Sequence, residues 1–278
     1  MKRPLLIFLS LILFSQVSIA QKKQGKLFII GGGSRPASLI NAMIDEAGLR
    51  TEGYAVVLPM STMYGDEAMA SGKKQFTDNG IKNATAFNFE KGETPNPVLL
   101  DSIRKAKLIY ISGGDQNRFM GIVAGTEIEK AIWDCFNNGG MIAGTSAGAA
   151  VMSEKMITGT QVAYPDEEGG FKVMEQGNVE LANGLGFLKK AIIDQHFVKR
   201  SRYNRMLTLT MEHPEIKCIG IDESTAIVVS GDKVKVVGAS QVLVFDAGGK
   251  KAKLQGKKLG QKDIKLSIYL AGDEFSLK

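Results

Sequence analysis

Three short apolar runs, each ending in glycine, constrain the fold most. Leu27-Phe28-Ile29-Ile30 runs into Gly31-Gly32-Gly33-Ser34, Leu108-Ile109-Tyr110-Ile111 into Ser112-Gly113-Gly114-Asp115-Gln116, and Met141-Ile142-Ala143 into Gly144-Thr145-Ser146-Ala147-Gly148-Ala149-Ala150. Apolar runs this short, closed by turn residues, read as buried strands. Between them the spacing predicts helices over 37–47, 67–76, 98–106 and 127–137 and further strands over 54–58 and 85–89. Strands alternating with helices give a parallel sheet of βα units, whose glycine-ended turns all reach one edge.

Beyond a helix over 202–212 the pattern changes to short alternating runs at 226–229, 233–237, 241–245 and 265–270, separated by Gly and Asp turns. These read as antiparallel strands attached to the end of the parallel sheet. The expected fold class is therefore α/β, a mostly parallel sheet flanked by helices, with a β-rich part from about residue 217. The basic stretch 250–262 reads as a solvated loop.

Residues 1–20 carry Lys2 and Arg3, an apolar stretch from Leu5 to Phe14, and Ser18-Ile19-Ala20 before Gln21. This is the layout of a cleavable secretory signal, too short in its apolar part for a comfortable membrane span. The expectation is a secreted or periplasmic protein with one hydrolytic domain over 21–278. Two of the positive groups behind the net charge of +6 fall in that leader, and the rest are spread along the chain. That distribution makes no case for nucleic acid.

Ser146 is the candidate nucleophile. Small residues on both sides of a serine, at a turn from strand to helix, let its hydroxyl project where free N–H groups can hold an oxyanion; a plain packing turn is the alternative. A serine needs a base, and the chain has two histidines. His213 precedes Pro214 and reads as a helix stop. His196 closes the run Ala191-Ile192-Ile193-Asp194-Gln195-His196-Phe197 where it turns polar, and is the better base. The glycine clusters lack dinucleotide or P-loop spacing. Cys135 and Cys218 sit among apolar neighbours and read as separate buried thiols. No metal-ligand spacing is present.

Together GGDQ at 113–116, GTSAGAAVM at 144–152, DQHF at 194–197 with the arginines after it, HPE at 213–215 and GIDE at 220–223 resemble the cyanophycinase branch of peptidase family S51. The resemblance implies a class I glutamine-amidotransferase-like fold and no cofactor. It implies a serine exopeptidase that hydrolyses cyanophycin, or related β-linked aspartyl peptides, to β-Asp-Arg dipeptides. Aspartyl dipeptidase activity, or a catalytically inactive binding protein, are the alternatives. The implied partner is the peptide substrate; a homodimer is left open, and no membrane contact is expected once the signal is removed.

By motif the resemblance makes Ser146 and His196 the nucleophile and base and gives Gly114 and Ala147 the oxyanion N–H groups. It puts Gln116, Asp194, Gln195, Arg200, Arg202 and Arg205 in the substrate pocket. Guanidinium groups suit substrate carboxylates, and Asp194 suits a substrate arginine. The acid of the triad is expected between serine and histidine, but Ala163 stands at the matching place before Tyr164-Pro165. Asp166, Glu167, Glu168 and Glu175 are the acids within reach.

Overall fold

The computed structural model describes residues 24–165 and 170–278. The expected signal, 1–20, and the acids Asp166, Glu167 and Glu168 lie outside the described residues. The described residues begin with β1 (Lys26–Ile30), α1 (Ala37–Ala47), β2 (Ala55–Leu58), α2 (Gly65–Thr77), β3 (Ala84–Ala86) and α3 (Pro97–Arg104). They continue through β4 (Leu108–Ile111), α4 (Gln116–Val123), α5 (Glu127–Asn137), β5 (Met141–Thr145) and α6 (Ala147–Ala150). Next come β6 (Lys155–Gln161), β7 (Val179–Asn183), β8 (Ala191–Gln195), α7 (Tyr203–Glu212) and β9 (Lys217–Ile221). The last strands are β10 (Thr225–Ser230), β11 (Lys233–Gly238), β12 (Val242–Asp246), β13 (Lys253–Gln255), β14 (Lys258–Gly260), β15 (Lys265–Tyr269) and β16 (Glu274–Ser276).

An eight-stranded sheet runs β16-β11-β10-β1-β5-β4-β2-β3. Its half from β1 to β3 is parallel, and β10, β11 and β16 add antiparallel strands beside β1. The mostly parallel α/β reading holds, but the C-terminal strands do not all join that sheet. A second sheet, β15-β12-β9-β8, takes β12 and β15 and pairs β8 with β9 in parallel.

Successive side chains of a strand point to opposite faces, so a strand buried on both faces is apolar throughout. On β1, Leu27 and Ile29 enter one core with α3 and α5 residues such as Ile103 and Ile132, while Phe28 and Ile30 enter another with Leu39, Met43 and Ile44 of α1. Ile193, Ile219 and Val242 of the second sheet join the first of these cores. Their neighbours Ile192, Cys218 and Leu243 face Met206 and Leu209 of α7. The two sheets therefore contribute to one core together with α3 and α5, while α1 packs in the separate core on the large sheet and α7 in that on the second. Cys135 and Cys218 are buried and unpaired, and burial pushes each thiol up to about 12.

The stretch 250–262 contains the exposed hairpin β13–β14 rather than a plain loop, because Gly256, at φ 60°, opens a two-residue turn between Gln255 and Lys258. No helix among the described residues is long and apolar enough to cross a membrane.

Two-sided burial of β1 predicts that both Phe28→Ala and Ile29→Ala lower unfolding free energy, by about 2–5 kcal/mol each. On β11, where exposed and buried residues alternate, Val234→Ala should be costly and Lys233→Ala should stay within about 0.5 kcal/mol. Denaturant titration of the four variants measures this; a neutral Phe28→Ala or Ile29→Ala would contradict the layering.

Candidate active site

Ser146 follows β5 at φ 53° and ψ −111°, a conformation that L residues rarely adopt. Its N–H donates to Ile30 O at 3.1 Å, and its own carbonyl accepts from Ala149 and Ala150 N–H at 2.9 and 3.0 Å. The first N–H groups of a helix have no intrahelical acceptor, and here Ala147 supplies the one next to the serine. Gly148 is required for space: a Cβ there would lie 2.3 Å from Ile111 O. On the neighbouring loop Gly113 is the glycine nearer the serine, its Cβ position being 3.4 Å from Ser146 Cβ, while Gly114, at φ 141°, packs against Ser61 O.

His196 follows β8 at φ 49°, and its N–H donates to Gly31 O at 2.6 Å. Nε2 lies 2.9 Å from Ser146 Oγ, and Nδ1 lies 2.7 Å from Glu223 Oε1. The ring is therefore held between a hydroxyl and a carboxylate. Burial lowers the His196 pKa below the ordinary histidine value, the Glu223 hydrogen bond and charge oppose that, and the cations Arg200 and Arg202 add to the lowering. The net result is a neutral imidazole at neutral pH, with Nε2 free to accept a proton when Glu223 holds the Nδ1 hydrogen.

The acid beside His196 thus comes from after the histidine in sequence, which corrects the expectation of one between serine and histidine. Glu175 accepts instead from the Tyr164 hydroxyl at 3.0 Å. The reason is topological. Strands β8 and β9 are parallel neighbours with Gln195 opposite Ile221, so the residues that follow each strand emerge side by side. Asp222 takes part too, accepting from Lys199 N–H at 2.9 Å and Ser240 Oγ at 2.7 Å. The sequence signal was the acidic pair at the end of the apolar run before it, in GIDE.

The expected pocket residues separate into two groups. Asp194 is buried and accepts from Arg205 through both carboxylate oxygens, Nε at 2.7 Å to Oδ2 and Nη2 to Oδ1, and from Arg202 Nη1 at 3.2 Å. Gln195 is buried as well, and both its side-chain and backbone oxygens accept from Arg202 Nη1. This corrects the reading of Asp194 as an open partner for a substrate arginine, because its oxygens are occupied by the protein's own arginines. Burial, then the nearby Arg205, brings Arg202 down to about 10 despite the attraction of Asp194.

Gln116 Nε2 donates to the carbonyls of Ile157 and Thr158 at 3.0 and 2.6 Å, tying α4 to β6. Arg200 is exposed and lines, with Ser201, Arg202, Asn204 and Phe171, a cavity of about 420 Å³. A second cavity, about 470 Å³, contains Ser146 and His196 themselves.

A family model, Peptidase family S51, matches residues 27–237. A cyanophycinase from Geminocystis herdmanii is 33% identical over 240 residues, covering 82% of this chain and 84% of that protein. A cyanophycinase from Trichormus variabilis is 27% identical over 234 residues, 81% of this chain and 75% of that one. Among solved structures, a peptidase from an acI-B1 Actinobacterium matches with a TM-score of 0.66 at 22% identity, covering 92% of this chain and 98% of its own. A putative peptidase E protein from Listeria monocytogenes gives 0.52 at 17% identity, with 78% and 100% covered. These two likenesses establish the fold.

Asp194 as the counter-charge of two arginines predicts that Asp194→Asn unfolds more easily by about 3–5 kcal/mol, since removing one partner leaves buried guanidinium charge uncompensated. Denaturation midpoints test this. A variant as stable as the parent would return Asp194 to the role of an open substrate contact.

Proposed function

The chain belongs to peptidase family S51 and is a peptidase, and on that premise we propose that it is a serine exopeptidase of cyanophycinase type. Its substrate would be cyanophycin or a related β-linked aspartyl peptide, and its product β-Asp-Arg dipeptides. The observation that carries the reading is the continuous chain Ser146 Oγ, His196, Glu223, with separations of 2.9 and 2.7 Å.

In this reading His196 Nε2 removes the Ser146 proton as Oγ attacks the scissile carbonyl, and Glu223 stabilises the imidazolium that forms. The N–H groups of Ala147 and of the Gly113–Gly114 turn receive the oxyanion. His196 then gives its proton to the leaving amine, an acyl-enzyme remains, and water activated by the same imidazole releases the acid product. Support for an acidic substrate comes from the arginines. Asp194 occupies Arg202 and Arg205, and Arg200 stays as an exposed guanidinium in the lining of the cavity of about 420 Å³. Glu223 supplies the third group beside His196, which favours an active enzyme over an inactive binding protein. Export is part of the proposal, supported by the pattern of residues 1–20; amino-terminal sequencing of the mature protein should then begin at Gln21.

The test is labelling by a fluorophosphonate, expected at Ser146 and absent in Ser146→Ala, joined to hydrolysis of a panel of cyanophycin, β-Asp-Arg peptides and α-aspartyl dipeptides. Turnover of only the last class would move the protein to the dipeptidases, and no labelling would remove the serine mechanism. Glu223→Gln should cut kcat by up to about 10⁴-fold, the loss seen for a triad acid changed to its amide. Its acid limb should move to lower pH, because the carboxylate raises the His196 pKa and the amide does not. An unmoved limb with undiminished kcat would exclude Glu223 from the proton relay.

A further inference from the structure

The cavity that contains Ser146 and His196 has an outer wall that the triad does not use. Its lining includes Arg35, from the loop after β1, and Glu67 and Ser71 of α2. Among the described residues Arg35 has no carboxylate within ion-pair distance, and Glu67 has no cation. Arg35 is nevertheless held in place: Nε donates to Gln75 Oε1 at 3.2 Å and Nη1 to Gly33 O at 3.5 Å. A guanidinium carries five N–H donors, so most of its capacity stays free. Thr145, in the lining of the same cavity and 4% exposed, has a hydroxyl with no hydrogen-bond partner among the described residues.

A cleft that presents one unpaired cation, one unpaired anion and an unsatisfied buried hydroxyl beside a nucleophile is complementary to a ligand with both charges. We propose that this wall is a second substrate subsite that receives the zwitterionic β-Asp-Arg unit next to the scissile bond, its carboxylate on Arg35 and its guanidinium on Glu67. The assignment rests on the cyanophycinase-type reading and extends it to a cavity whose lining does not include Arg200. Planar pairing suits both contacts, since guanidinium and carboxylate match in a bidentate fork. The wall is also where a leaving group belongs, because the cavity carries His196, the group that protonates the departing amine, with Gly32 and Gly33 beside it.

The experiment is calorimetric titration of the Ser146→Ala protein with β-Asp-Arg and with the analogue in which neutral citrulline replaces arginine. Adding Glu67→Gln should weaken β-Asp-Arg binding about tenfold and leave the citrulline analogue unchanged. Adding Arg35→Gln should weaken both ligands about tenfold, and Arg35→Lys should recover part of the loss. Unaltered affinities, equal losses for both ligands in Glu67→Gln, or no binding of either ligand would each overturn the subsite. Both residues are exposed, and melting curves of the variants should match the parent. Turnover of cyanophycin by the unmodified enzyme reads the other question separately. Charge-specific binding without turnover would sink the proposed activity alone, and turnover with insensitive binding would sink the subsite alone.

Discussion

Three consecutive carbonyls at the end of β1 hold the site together. Ile30 O accepts from Ser146 N–H at 3.1 Å, Gly31 O from His196 N–H at 2.6 Å, and Gly32 O from Ser224 N–H at 2.9 Å. Each donor belongs to a residue with positive φ, at 53°, 49° and 55° respectively. Such conformations cost on the order of 1–3 kcal/mol apiece and persist only where the surroundings over-determine them. Here the nucleophile, the base and the residue after the acid are all over-determined by the same three-residue stretch of backbone. Side chains would spoil it, since a Cβ on Gly32, itself at φ 102°, would lie 2.3 Å from the His196 ring.

That arrangement lets two sheets build one site. The serine comes from the large sheet, and the histidine and glutamate from neighbouring strands of the smaller one. Ile193, Ile219 and Ile221 of the smaller sheet share a core with Ile142 and Ile227 of the larger. Packing between the sheets therefore bears on the Ser146–His196 distance, together with the β1 backbone that both residues bond. Catalytic groups need positions held to about half an ångström, and a shared, close-packed core supplies that stiffness.

The parallel half of the fold was legible because its strands are buried on both faces and end in glycine, a pattern that depends on nothing beyond local sequence. So was Ser146, whose small neighbours are what an elbow of this geometry requires. Glu223 was not read as the acid. Its closeness to His196 follows from the pairing of β8 with β9 across helix α7, and no periodicity in the intervening residues reports which strand lies beside which. The arginines were half legible. Their offsets of four, six and nine residues from His196 show that they diverge, but only the fold says that Arg205 turns inward to Asp194 while Arg200 stays exposed. The β13–β14 hairpin was hidden by lysines that mask the pairing of Leu254 with Leu259.

The basic cluster and the base are coupled electrostatically. Two guanidiniums share the single carboxylate of Asp194, and Arg200 adds a third positive charge without a carboxylate partner among the described residues. This surplus lowers the His196 pKa, with burial as the larger cause and Glu223 opposing both. An anionic substrate at Arg200 would cancel part of the surplus, and a nearby negative charge favours the protonated imidazole. The base should thus become stronger when such a substrate is bound. The acid limb of kcat, which reports the complex, should then lie at higher pH than the limb of kcat/KM, which reports the free enzyme. Parallel pH profiles of the two constants measure the difference. A kcat limb at lower pH than that of kcat/KM would mean that substrate binding acts on His196 chiefly by excluding water, with desolvation of the imidazolium outweighing the added negative charge.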